Sequence, residues 1–294
     1  MLKSNTTAAL FQAAARQDTA LNWYAIADSA QHKDLPTALL RNGTQSRCLL
    51  GAPQGSSVAR YSPHLVSLES PLRASSVWSW INLNVGKCPC LSIIATRLTF
   101  DTLFRQFEAC TEVIMPGGDT MFFAFWDPAI LGTLVGQADD STLYVKGPVL
   151  EPEQREMLVS MVALWCYWSR CGVAHLIACD NGFDSAKQTV ISLNQTQVDA
   201  LVEASVPDHI LYFIELNHPN LVSEIDMQER YPSIRRALVN ARELGLASMT
   251  DLVNYACIEL IYKERMNNDS SIKNLLHQIK QGEIGFANSL NLFP

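Results

Sequence analysis

Three features of the sequence predict an α+β protein, with an N-terminal mixed α/β lobe over residues 1–188 followed by a C-terminal all-helical lobe over residues 189–294. Short β-branched and aromatic runs alternate with helical patterns as far as Asn181-Gly182, and beyond that point only helical periodicity is seen. Tryptophan follows the same division, because Trp23, Trp78, Trp80, Trp126, Trp165 and Trp168 all fall in the first lobe. At the centre, residues 121–134 change period where an apolar run meets Asp127-Pro128. Residues 121–126 carry too little polarity for a strand with one wet face, so they predict a central strand covered on both sides. Asp127 offers a carboxylate to the free N–H groups of the helix that follows, and Pro128 suits its first position. Both are therefore assigned structural roles, and Asp127 is not nominated as a catalytic acid.

The remaining elements follow in order. Leu10, Phe11 and Ala14 at helical spacing predict an amphipathic first helix. Residues 21–27 predict a strand, 35–40 a short helix stopped by Asn42-Gly43, 47–50 a strand and 61–68 an extended segment. A helix over 71–83 carries Trp78 and Trp80, which stand two apart and cannot both face the interior. A strand over 91–96, a helix over 100–109 and a strand over 112–115 come next. The turn Pro116-Gly117-Gly118-Asp119 pairs that last strand antiparallel with the central run, which predicts a mixed sheet. Residues 142–149 predict a further strand, and 163–170 with 173–180 predict a hairpin around Cys171-Gly172.

The second lobe opens with a capping box from Asn194 and Gln197, whose helix is expected to reach about Ala204. Pro207 is expected to start a separate helix that ends near Leu216. Helices over 227–244, 249–265 and 271–281 follow, with Gly245 stopping the first of these and Ser248 with Asp251 starting the next.

Composition narrows the function. The chain has 294 residues, is 48% hydrophobic and only 17% charged, and so leaves room for apolar surface that a partner would cover. Its formal charge of −7 has no basic stripe behind it, with 8 Lys+Arg against 13 Asp+Glu over residues 193–294 and 14 against 16 over 1–192. Nucleic acid and anionic membrane are therefore not expected partners. The N-terminal apolar segment is interrupted by Gln12 and Arg16, and residues 157–168 are too short to span a bilayer, so a cytoplasmic protein is expected. Cys48, Cys110 and Cys257 sit singly in apolar segments, as reduced thiols do.

The search for chemistry yields weak patterns. Cys166, Cys171, His175 and Cys179 are four ligand-type side chains, but they fall along two hairpin strands whose side chains alternate between faces. Cys88-Pro89-Cys90 has no second cysteine pair at ribbon spacing. The loop over residues 51–57 lacks the Lys-Ser or Lys-Thr of a phosphate loop and no helical pattern follows it. No Gly-x-Ser-x-Gly elbow and no His-Glu-x-x-His occurs, and the six histidines are scattered in contexts that suggest surface or turn. No catalytic residue, metal or cofactor is nominated.

One set of segments, in this order, resembles a known family. They are Tyr24-Ala-Ile-Ala-Asp28, Leu50-Gly51, Ser62-Pro63-His64-Leu65-Val66, Phe123-Ala-Phe-Trp-Asp127-Pro128, Lys146-Gly147-Pro148, Tyr167-Trp168-Ser-Arg170-Cys-Gly172 and Ala241-x-x-Leu-Gly245-Leu. The chain is similar to the bacterial type VI secretion effector-loading adaptor chaperones, the Tap or TEC proteins. It departs from them at Ala124 and Ala129, where the family usually has arginine, and near residues 262–265, where a Gly-x-x-Phe ending is absent. The resemblance implies a non-catalytic cytoplasmic chaperone, a monomer within a heterocomplex, that binds a toxic effector protein and loads it onto the VgrG spike. Arg73, Trp78 and Trp80 are the effector-binding candidates, since exposed Trp and Arg dominate binding hot spots. Two rival expectations are a thiol- or zinc-dependent enzyme using the Cys166 set, and an immunity protein that neutralises a toxin.

Overall fold

The computed structural model describes residues 4–32, 35, 44–53, 55–177, 179 and 190–294, with the side chains of 4–6 left aside. The helix expected over 35–40 and the lobe boundary expected at 188/189 lie outside these residues or at their margin. By spatial clustering the chain divides into two compact units, Met1–Ala204 and Ser205–Pro294.

In the first unit, helix α1 (Ser4–Gln17) precedes strands β1 (Asn22–Asp28), β2 (Ser46–Cys48) and β3 (Pro63–Leu68). Helix α2 (Ser76–Asn84), strand β4 (Leu91–Thr96) and helix α3 (Phe100–Ala109) follow, then strands β5 (Glu112–Ile114) and β6 (Thr120–Phe122). Helices α4 (Pro128–Val135) and α5 (Pro152–Val159) and strands β7 (Leu164–Trp168), β8 (Ala174–Ile177) and β9 (Ile191–Ser192) complete it. One six-stranded sheet runs β2-β3-β1-β4-β7-β8, and a small sheet runs β6-β5-β9.

The large sheet is antiparallel throughout, which corrects the expectation that it would be mixed; the parallel pairing is confined to β5 with β9 in the small sheet. It is nevertheless buried on both faces. Alternation along β1 sends Tyr24 and Ile26 into one core and Trp23, Ala25 and Ala27 into the other, and β4 divides Ile94 from Leu91, Ile93 and Ala95 in the same way. The first core is closed by Leu103, Phe104 and Phe107 of α3, with Leu131 and Leu134 of α4 and Leu158 of α5. The second is closed by Phe11 and Ala15 of α1 and by Val77, Trp78 and Ile81 of α2. Each helix buries one apolar stripe, so an all-antiparallel sheet becomes the middle layer of three.

The apolar run over residues 121–126 is not the central strand; that place belongs to β1 and β4. Only Met121 and Phe122 lie in strand β6, and they are 54% and 70% exposed. Phe123 N–H closes the hairpin on Thr111 O at 2.8 Å, and Phe125 N–H then bonds Phe123 O, so the chain turns. Phe123, Phe125 and Trp126 enter the first core from that turn, with Phe125 5.4 Å from Phe107 between ring centroids. At the end of the turn Asp127 accepts from Ala129 N–H at 2.8 Å, with Pro128 in the first helical position.

The strand expected over 142–149 is also corrected. Thr142 N–H and Oγ1–H both donate to Asp140, while Val149 and Leu150 N–H donate to Thr133 O and Leu134 O. Backbone groups committed to the end of α4 are not available to a sheet. After the loop at residues 51–57 there is one helical turn, Ser57–Arg60, capped by Ser56, where no helical pattern was expected.

Helix α6 (Gln195–Asn217) opens on the capping box, with Gln197 N–H on Asn194 Oδ1 at 3.0 Å and Asn194 N–H on Gln197 Oε1 at 2.9 Å. It continues through Pro207 instead of ending near Ala204. Val206, Ile210 and Ile214 are all buried, so the apolar stripe runs past the proline. Packing of that stripe offsets the roughly 3 kcal/mol that an interior proline costs.

The second unit continues with α7 (Met227–Glu243), α8 (Met249–Tyr262) and α9 (Ser270–Lys280). Gly245, at φ +80°, follows α7, and Ser248 caps α8 through Asp251 N–H at 3.1 Å. Among the described residues no helix is long and apolar enough to cross a membrane.

Candidate protein-interaction surface

Helix α2 positions the three binding candidates. Ser75 starts it by accepting from Trp78 N–H, and the apolar positions Val77, Trp78, Ile81 and Val85 set which face turns inward. Trp78 belongs to that inner face. It is 7% exposed, donates its indole N–H to Glu69 O at 2.9 Å, and packs against Phe11 and Trp23 at centroid distances of 5.7 and 6.1 Å. A side chain so enclosed is core, and it does not project to a partner.

Trp80 lies on the flank of the helix, half-buried against the edge of the second core, with His32 edge-on at 5.3 Å. One turn on, Leu83 is 67% exposed. Arg73 and Leu72 are exposed in the turn that leads into α2, and Arg73 forms no ion pair among the described residues. The structure thus leaves Leu83 on the outward face of α2, with Trp80 on its flank and the exposed Leu72 and Arg73 in the segment before it. Leu83 was missed from sequence because its helical position had no indole to draw attention to it.

The thiol and histidine candidates do not assemble. Cys166 is buried in the second core, where burial pushes its thiol up and away from nucleophile behaviour. His175, on the neighbouring strand, is paired in register with Tyr167 on the other face of the sheet. Cys171 is exposed in the hairpin turn, and Cys179 packs against the first core. Among the described residues no group of three or more His, Cys, Asp or Glu could hold a metal, and all eight cysteines are free thiols. Cys88 and Cys90 interact with each other, which lowers the Cys88 thiol and raises that of Cys90.

His175 corrects the expectation of a surface or turn histidine, since it is 4% exposed and stacked on Tyr167 at 5.3 Å. Tyr167 O–H donates to the buried Asp140 at 2.9 Å, and Asp140 also accepts twice from Thr142. Burial, and then the Asp140 charge, push the Tyr167 phenol far up. His175 Nδ1 is 3.2 Å from Asp139 and Nε2 4.0 Å from Asp140, both without hydrogen-bond alignment. The network fixes the end of the hairpin to the loop after α4, and every member except Asp139 is closed to solvent.

Against known proteins, residues 23–143 match the family model described as Domain of unknown function (DUF4123), the family of the type VI effector-loading adaptors that the sequence resembles. No curated protein and no solved structure matches the chain. The matched stretch takes in β1 to β6 together with α2, α3 and α4, and so includes Arg73, Trp80 and Leu83. Over residues 23–143 the chain is therefore similar to the DUF4123 family.

Proposed function

We propose that this protein is a non-catalytic cytoplasmic adaptor that binds a type VI secretion effector and loads it onto the VgrG spike. The observation that carries the reading is the DUF4123 match over residues 23–143. It is supported by the half-buried Trp80 and exposed Leu83 of α2 and by Arg73 in the turn before it, whose guanidinium is in no ion pair among the described residues. Effector is bound through Trp80, Leu83 and Arg73, and the adaptor works as a monomer within a heterocomplex without cofactor.

The test is isolation of the tagged protein from its native cells, with identification of what accompanies it by mass spectrometry. One large toxin-like protein, with or without VgrG, is the expected companion. A preparation with neither would overturn the reading. Trp80→Ala combined with Leu83→Ala should lower effector recovery at least tenfold while leaving thermal unfolding within a few degrees of the parent. Unchanged recovery removes this face of α2 from the interface.

A further inference from the structure

The small sheet has an open edge whose chemistry specifies what can join it. Strand β6 is terminal in the order β6-β5-β9, and its bonding pattern can be worked out residue by residue. Phe123 N–H bonds Thr111 O and Met115 N–H bonds Asp119 O, so the pairs 111/123 and 115/119 exchange hydrogen bonds across the hairpin. Antiparallel alternation places 113/121 in the same class and 112/122 and 114/120 in the other. The carbonyl of Ile114 agrees with this, since it points the other way and accepts from Leu193 N–H at 2.9 Å. The N–H and C=O groups of Thr120 and Phe122 therefore point outward from the sheet, and no described residue outside β5 pairs with this strand.

Side chains complete the site. Val113 faces the first core, which puts Glu112, Ile114, Thr120 and Phe122 on the opposite, open face. Glu112 and Phe122 are direct cross-strand partners, so an exposed carboxylate stands beside an exposed ring. Asp119 adds a second exposed carboxylate just before the strand, on the Met121 side by the same alternation, and neither acid is in an ion pair among the described residues. Between Arg105 and Lys146 the sequence contains no Lys or Arg at all.

We propose that the β6 edge, through Thr120 and Phe122 with Glu112 and Asp119, docks an extended lysine- or arginine-bearing segment of a partner protein as a fourth strand. Backbone pairing supplies the geometry. A cation on the open face of the incoming strand meets the Phe122 ring and the Glu112 carboxylate together. A second copy of this chain is the wrong occupant, because its own β5–β6 hairpin carries no Lys or Arg to pair with Glu112 and Asp119. Identifying the partner as the effector rests on the adaptor reading; the chemistry of the edge does not.

The test uses a fluorescein-labelled peptide of four Lys-Val repeats and its Glu-Val counterpart, titrated with the purified full chain and read by anisotropy. The Lys-Val peptide should bind at least tenfold more tightly. Thr120→Pro removes an outward N–H without touching the bonds to β5, and Phe122→Glu removes the ring; each should weaken Lys-Val binding at least tenfold. No binding by the parent, equal binding of the two peptides, or unchanged binding by both variants would overturn the proposal. So would a parent dimer, seen by light scattering, that either variant disperses. Should Thr120→Pro unfold, Phe122→Glu decides alone. In native-cell isolations, effector recovered equally by parent and variants overturns the edge as the effector contact and leaves the adaptor reading standing. Absence of effector from the parent preparation overturns the adaptor reading, and the peptide titration then decides the edge by itself.

Discussion

Strand β4 and the hairpin strand β6 are both mainly apolar and meet opposite fates. Leu91–Thr96 is buried at every position, whereas Thr120–Phe122 is exposed at every position. β4 lies between β1 and β7 with helices over both faces, so each of its side chains has a core to enter. β6 has one strand beside it, and the apolar residues that follow it leave the strand before they are buried. Apolar composition reports that a segment is wanted by some surface; its neighbours decide whether that surface is the protein's own.

Four substitutions put this contrast at risk. Trp78→Ala strikes the layer beneath β1 and should cost about 3–5 kcal/mol, since it empties an aromatic cluster and leaves Glu69 O unpaired. The loss is read as a lower urea midpoint at unchanged slope. Tyr167→Phe tests whether the two-faced sheet also depends on its buried polar network. It should cost about 1–3 kcal/mol, because Asp140 keeps Thr142 but loses its phenol donor.

Asp127→Ala acts where the apolar run becomes a helix. Loss of the bond to Ala129 N–H should cost about 1 kcal/mol, measured by the same unfolding experiment. Phe122→Ser is the smallest, expected within about 0.5 kcal/mol of the parent because the ring packs on nothing it would leave empty. A cost above that would mean that Phe122 belongs to the core after all, and the contrast with β4 would fall.

The site was legible to the extent that local chemistry defines it. The pairing of Trp78 and Trp80 on one helix implied that one of them faces inward, and the flanking Val77, Ile81 and Val85 are the neighbours that choose Trp78. Leu83 and the buried network at His175 were not legible. His175 reaches Asp140 only through the pairing of β7 with β8 and the path of the loop after α4, contacts separated by some 35 residues of chain.

Features that follow from the residues alone are local. The caps at Asp127, Ser248 and Asn194, the stop at Gly245 and the hairpin turns at 116–119 and 171–172 each arise from residues within four positions of one another. The α+β class and the helical end of the chain come from periodicity in the same way. Other features arise only when the layers assemble. Assembly set which apolar run became the centre of the sheet, made every pairing of that sheet antiparallel, carried α6 through Pro207, and left Phe122 outside. These outcomes depend on how many surfaces a segment has available to cover it, and that number is a property of the assembled layers and not of the segment.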